Sequence, residues 1–479
     1  MKNVLLLAHA FPPVGAAGSQ RAVKLVKYLP EHGWWPTVIT APADRYLTLD
    51  AGLLADIPAG VVVHRTRTLE PSQSQTLALR PSAAPSSTPT PSPVAGVKER
   101  ARRIVYWLYA HGVIPDRSLG WAPFAIAAGL RLSRRTRFDA IFATGNPYSS
   151  FLAAAALGLA LRAPYVLDYR DAWTLNPYRQ SESAWRNAVE RRQERFALGR
   201  AAAAIFATEP MRQDYARAFP ALANHFTTMT NGYDPTDFAG VTPQALPGFT
   251  ITHVGKFTPY RRPDGFLRGL ARFLRNEPAA RASLRALFIG EADAAVSRAV
   301  AALELEDVVQ IKSYLPHAEV LPYLLGSSAL LLVGGGAVSE QTSKVFEYLA
   351  AARPVLALVP EDGAAAEALR SSAAPVHFAP ADDEHQIEHA LSRLYADAAP
   401  DQPARAAPLE YSRPYLAGRL AEVLDRCLDA QRPAPIPSRT TPAAASSPTA
   451  NGRRSRSATS TQLWSRGDRA GSRSREAAT

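Results

Sequence analysis

The chain has 479 residues, 47% hydrophobic and 20% charged, with a net charge of +12. That is length for two or three domains with sizeable cores. The lone cysteine, Cys427, excludes a disulfide framework and a cysteine-built zinc site, and fits a reducing compartment. Pro433–Thr479 holds eight Arg against Asp468 and Glu476, so half of the net charge belongs to a Ser/Arg/Pro-rich tail. The tail lacks a core-forming pattern and reads as solvated disorder. No nucleic-acid recognition module is visible, so the basicity does not imply a nucleic-acid partner; attraction to an anionic lipid surface is the sharper reading of it.

The first apolar run, Val4–Ala8, stops at Phe11-Pro12-Pro13 without a small-residue cleavage site. It is expected to be a buried parallel strand, not a signal peptide. Further apolar runs at Thr37–Thr40, Val61–His64, Ala140–Thr144, Tyr165–Asp168 and Ala203–Ala207 predict a first parallel sheet. Runs at Phe249–Val254, Arg285–Ile289, Val308–Lys312, Ala329–Val333 and Val355–Val359 predict a second. Helical periodicity separates most of them, so the expected class is α/β with two doubly wound domains. "FLAAAALGLAL" (Phe151–Leu161) is too short to span a bilayer and is expected as a core helix.

The expected boundaries are 1–236, 237–412, a helix within 413–432 that returns to the first domain, and the tail from 433. The join falls at "TNGYDPTDF", where Asn231-Gly232 and Asp234-Pro235 are turn signals. Pro71–Gly96 is low complexity and is expected as a loop. Val97–Val113, basic and then aromatic, suits a surface helix packed on its apolar side or a helix lying on a membrane.

Four loops at strand ends carry chemistry. After the first strand, Gly15 and Gly18 precede a helix; they do not form G-x-G-x-x-G, but a glycine loop at a helix N-terminus can face a phosphate or a sugar. "YVLDYRDAW" ends a strand in Asp168, Arg170 and Asp171, charges suited either to a cleft or to an internal Asp–Arg pair. "THVGKFTPYRRPDGF" gathers Gly255, Lys256, Arg261 and Arg262, suited to a diphosphate or to a solvated basic loop. "GGGAVSEQTSKVFEYLAAARPV" follows Ala329–Val333 with Gly334, Gly335 and Gly336, then a helix capped by Thr342 or Ser343. On that helix Lys344 and Glu347 share a face three residues apart. They suit a phosphate and two sugar hydroxyls, or a mere surface pair. "DDEH" (Asp382–His385) reads as a helix start, not a metal site.

Taken in order, these motifs, with "FDAIFATGNPYSS" and "SYLPHAEVLPYL", resemble glycosyltransferase family 4, whose fold is GT-B: two Rossmann-like domains facing across a cleft. The similarity runs from Met1 to about Leu428. It implies a nucleotide-sugar donor on the C-terminal domain and a glycan or lipid-linked acceptor on the N-terminal one. It implies retention of anomeric configuration and neither metal nor cofactor. Lys256 and Arg262 occupy the family's diphosphate-binding places with the two basic types exchanged, and Glu347 matches its ribose-binding Glu. The family's other Glu, near the sugar, falls at Ser339; either a one-residue shift lets the adjacent Glu340 serve in donor binding or the sugar is held differently, and Arg170 stands near where relatives have a His. The expected function is therefore a glycosyltransferase of cell-envelope or polysaccharide synthesis at the cytoplasmic side of a membrane, in a bacterium. The alternatives are a GT-B nucleotide-sugar epimerase and a non-catalytic sugar-nucleotide binder.

Overall fold

The computed structural model describes residues 1–79, 112–179, 183–291, 294–397 and 407–430. Most of Pro71–Gly96, nearly all of Val97–Val113 and the whole tail from Pro433 lie outside the described residues. The start of the low-complexity segment departs from expectation: Gln73–Leu79 is a helix, begun by Ser72, whose hydroxyl accepts from the Gln75 N–H at 3.2 Å.

Two parallel sheets organise the chain. The first contains β1 (Lys2–Leu7), β2 (Trp34–Thr40), β3 (Val62–Arg65), β4 (Ala140–Gly145), β5 (Tyr165–Tyr169), β6 (Ala203–Phe206) and β7 (Phe226–Thr228), in the order 3-2-1-4-5-6-7. The second contains β8 (Phe249–Val254), β9 (Leu284–Ile289), β10 (Val309–Lys312), β11 (Ala329–Val333), β12 (Val355–Leu358) and β13 (Val376–Phe378), in the order 10-9-8-11-12-13. Each is the doubly wound pattern, with its topological switch between β1 and β4 or between β8 and β11.

The central strands are largely apolar because they feed two cores. In β1, Leu5 and Leu7 pack on one face, while Val4 and Leu6 pack on the other. In β11, Leu331 and Val333 face one way and Leu330 and Leu332 the other. A strand covered on both sides has no solvent face to mark with polar residues. The three-residue strands β7 and β13 are not legible as apolar runs. Both sit at sheet edges, and only Phe226 in one and His377 in the other are buried.

The two domains are tied by a double crossing. The Tyr233 N–H donates to the Tyr411 carbonyl at 3.0 Å, and the Arg413 N–H donates to the Tyr233 carbonyl at 2.8 Å. Gly232 is demanded here, since a Cβ would strike the Tyr411 carbonyl. Ser412 then caps the helix Arg413–Asp429 through the Tyr415 N–H. Its buried residues Leu416, Ala417, Leu420, Ala421, Leu424 and Cys427 recur at helical spacing and join the cluster around β1 and the helix Ala17–Tyr28.

Beside the crossing, Lys24 lies 2.8 Å from both Asp56 and Asp234 and 2.5 Å from Asp237. Lys27 is within 2.9 Å of Asp56 and Asp234. The Tyr28 hydroxyl donates to Asp234 at 2.7 Å. Two ammonium groups thus lie among three carboxylates and hold the linker to the first helix. Among the described residues no helix is long and apolar enough to cross a membrane.

Candidate functional site

The carboxyl ends of both sheets open into one cleft of about 690 Å³. Eight of the candidate site residues read from the sequence line it: Gly15, Arg170, Asp171, Gly255, Lys256, Arg261, Lys344 and Glu347. They come from loops after β1, β5, β8 and β11, where open parallel sheets place ligands.

On the N-terminal side the helix Ala17–Tyr28 begins at the loop after β1. Gly18 does not line the cleft. A Cβ there would collide with the Arg170 guanidinium, so the glycine makes room for a side chain. Arg170 is held by the Thr144 hydroxyl at 3.0 Å and the Asn146 carbonyl at 2.5 Å. Gly15 faces Tyr314 of the other domain, whose hydroxyl would lie 2.7 Å from a Cβ. Asp168 is fully buried, away from the cleft. It takes two hydrogen bonds from Arg21, at 3.0 and 2.7 Å, and one from Thr144 at 2.8 Å. Arg21 also donates to the carbonyls of Met229 and Thr230. A carboxylate so fully paired anchors β5 to the interdomain segment; its geometry is that of the internal Asp–Arg pair.

On the C-terminal side Gly255 sits at φ +106°, and a Cβ would lie 2.6 Å from Lys344 Cε. The glycine therefore lets Lys344 cross the end of β8. Burial and the charge of Arg261 lower the Lys344 pKa to about 8. Lys256 projects into the cleft and pairs with Glu291 at 2.5 Å. Arg261 pairs with Glu340. Arg262 pairs with Asp264 at 2.7 Å and does not line the cleft. The cations that converge are thus Lys256, Arg261 and Lys344, with Arg261 where Arg262 was expected.

The three glycines after β11 have separate causes. A Cβ on Gly334 would press on Val359 at 2.8 Å. One on Gly335 would meet the Tyr178 ring, with Cζ at 2.7 Å. Gly336 sits at φ +91°, a region that disfavours side chains. Glu340 receives the Gly335 N–H at 2.7 Å. Ser339, at the place of the family's other Glu, contributes only its carbonyl, which accepts from the Thr208 hydroxyl at 3.1 Å.

The helix Lys344–Ala351 starts without the side-chain cap expected from Thr342 or Ser343. The Thr342 hydroxyl oxygen and Gln341 Oε1 are buried with no hydrogen-bond partner, although both residues line the cleft. Orphaned polar atoms at a helix N-terminus suit an anion or a hydroxyl ligand. One turn on, Glu347 is 14% exposed and lies 3.2 Å from His317 Nε2. Burial would raise the Glu347 carboxyl, but the hydrogen bond and charge of His317 outweigh it and hold it below the ordinary range. Burial would lower His317, but Glu347 and then Asp237 raise it.

His317, Tyr314, Tyr178 and Arg21 were not picked out in the sequence. For His317 and Tyr314 the signal was present: "SYLPHAEVLPYL" carries both and opens a helix. The His317 N–H donates to Asp50 of the N-terminal domain at 3.0 Å, a contact no local pattern announces.

Residues 83–237 match the family model described as Glycosyltransferase Family 4. Comparison of the sequence with curated proteins finds no match. Among solved structures, HepE from Anabaena in complex with UDP and glucose is similar with a TM-score of 0.53 and 13% identity, over 89% of this chain and 97% of that one. Sucrose-phosphate synthase from Thermosynechococcus elongatus gives 0.54 and 15%, over 90% and 94%. UDP-GlcNAc 2-epimerase from Methanocaldococcus jannaschii gives 0.51 and 10%, over 89% and 100%. At such identities the likeness establishes the fold, and that fold is GT-B.

Proposed function

Because the chain carries a glycosyltransferase family 4 domain in a GT-B fold, we propose that it is a retaining glycosyltransferase. It moves a sugar from a nucleotide-sugar donor to a glycan or lipid-linked acceptor of envelope or polysaccharide synthesis, with neither metal nor cofactor. The observation that carries this reading is the convergence of Lys256, Arg261 and Lys344 on the cleft that also holds Glu347 and the unpartnered Thr342 hydroxyl. That HepE was solved with UDP-glucose supports a donor of this kind. The family 4 match favours transfer over the epimerase chemistry of another structure with this fold.

In this reading the diphosphate displaces Glu291 from Lys256 and Glu340 from Arg261. Lys344 and the start of its helix complete the anion site. Glu347, held ionised and oriented by His317, accepts the two ribose hydroxyls. The bond from the anomeric carbon to the diphosphate oxygen breaks, and the negative charge that develops on the leaving nucleoside diphosphate is stabilised by the fixed cations. The acceptor hydroxyl attacks from the same face. The departing phosphate takes its proton, so no protein base is required. Arg170 and Asp171 orient acceptor or sugar hydroxyls.

Thermal denaturation against a panel of nucleoside diphosphates and nucleotide sugars tests the donor site. A ligand at 100 times its dissociation constant should add about 2.7 kcal/mol of stability. Glu347→Ala should weaken that ligand by about 10- to 100-fold, as expected for hydrogen bonds to a charged group. Stabilisation by none of the panel, or unchanged affinity in the variant, overturns the assignment. Transfer to a lipid-phosphate or oligosaccharide acceptor, against simple epimerisation of the donor, decides the reaction.

A further inference from the structure

Glu340 does not line the main cleft; it lines a smaller pocket beside it with Gly334, Ala337 and Thr342, and three groups engage its carboxylate. Its side chain is 7% exposed. One carboxylate oxygen, Oε1, receives Arg261 Nε; the other, Oε2, receives the Tyr178 hydroxyl and the Gly335 N–H. Tyr178 comes from the opposite domain, on the loop after β5. Its oxygen also accepts the Ala337 N–H at 2.9 Å, and its ring stacks on Tyr260 at 5.0 Å between centroids and 30° between planes. Gly335 is a glycine because this ring comes so near.

The two oxygens of Glu340 are thus held differently. Oε2 is fixed by a neutral phenol and a backbone amide. Oε1 is held by a guanidinium that lines the donor cleft. A diphosphate is the stronger partner for that guanidinium and would draw it away. Oε1 would then be a charged, largely buried acceptor without a donor, which is costly. In a nucleotide sugar, the group joined to the diphosphate is a sugar bearing hydroxyl donors.

We propose that Tyr178 is a positioning residue of the donor-sugar subsite: it fixes the Glu340 carboxylate so that Oε1 passes from Arg261 to a hydroxyl of the donor sugar. This rests on the donor-site reading above. Its consequence is a discrimination that the nucleotide alone does not have. A nucleoside diphosphate draws off Arg261 but leaves Oε1 unsatisfied; a nucleotide sugar supplies both partners. Because Tyr178 belongs to the other domain, the preference also draws the two domains together around the sugar.

Calorimetric titration of the full chain with UDP and UDP-glucose, and with GDP and GDP-mannose, tests this. The wild type should bind the sugar conjugate of its preferred base more tightly than the diphosphate. Tyr178→Phe, with an unchanged melting temperature, should narrow that ratio by about tenfold or more, the worth of one hydrogen bond to a charged group. Its diphosphate affinity should move less than twofold. Glu340→Gln should narrow the ratio as well, and the double variant little further. An unchanged ratio in Tyr178→Phe, or equal weakening of both ligands, overturns the proposal. If Glu347→Ala still loses the diphosphate in the same titrations, the donor-site reading survives that failure. If no probe binds the wild type, or Glu347→Ala binds normally, the reading falls and takes this inference with it.

Discussion

Lys344 shows how burial sets the task of a single side chain. Its pKa is lowered to about 8 by burial and by the charge of Arg261, with Glu347 and Glu340 opposing. A diphosphate prefers the protonated form. Affinity should therefore be full below pH 8 and fall as the pH rises through it, by up to about tenfold per unit, until the higher pKa of the complex is reached. Titration of the preferred nucleoside diphosphate between pH 7 and 9.5 measures this. Lys344→Met should bind about 10- to 100-fold more weakly at pH 7 and should flatten the profile. A Lys344→Met protein that kept the wild-type profile would remove Lys344 from the diphosphate site. Asp168 teaches the opposite lesson. Its place at a strand's carboxyl end suggested a cleft, but Arg21, 147 positions earlier in the chain, claims both its oxygens.

Loops and helices explain the glycines. Five of those after β1, β8 and β11 make room for protein side chains: Tyr314 at Gly15, Arg170 at Gly18, Lys344 at Gly255, Val359 at Gly334 and Tyr178 at Gly335. The sequence announced that something must approach the backbone; it did not say whether the visitor was a ligand or a side chain. Gly255→Ala joins two penalties, a side chain at φ +106° and a Cβ pressed on Lys344. The strain costs about 1–3 kcal/mol, and the displaced Lys344 should lower diphosphate affinity by tenfold or more. Normal binding in a destabilised Gly255→Ala protein would show that Lys344 does not depend on this crossing.

At the level of the molecule, the site exists only while the domains are held in register, and the Lys24–Asp234 cluster is one of the ties. Burial raises the Asp234 carboxyl, but Lys24 foremost, then Lys27 and Tyr28, outweigh it and hold it well below the ordinary carboxylate range. The stability it contributes is present above its unfolded value near 3.8 and is lost as pH falls through the depressed folded value. Asp234→Asn should cost about 3 kcal/mol at pH 7, the lower end for breaking a buried ion pair, since Asp56 and Asp237 still face Lys24. Urea unfolding at pH 7 and pH 3 reads both effects: the variant should be weaker at pH 7 and lose less than the wild type on acidification. Equal losses in both proteins would show that the cluster does not carry the acid sensitivity.

Two doubly wound domains were legible because a strand buried on both faces must be apolar at every position, a property of the run itself. The glycine loops were legible because backbone approach and positive φ restrict the residue locally. Lys344 and Glu347 were legible as a pair because helix geometry puts residues three apart on one face. The edge strands β7 and β13 were not, since half-exposed strands of three residues carry no pattern. Nor were the pairings in and around the cleft: His317 with Glu347, Tyr178 with Glu340, Arg21 with Asp168, and Arg261 in the place expected for Arg262. These join residues 30 to 162 positions apart. Charge and hydrogen bonding act through space, so which partner a buried group finds depends on how the two sheets and the crossing helix are set against each other.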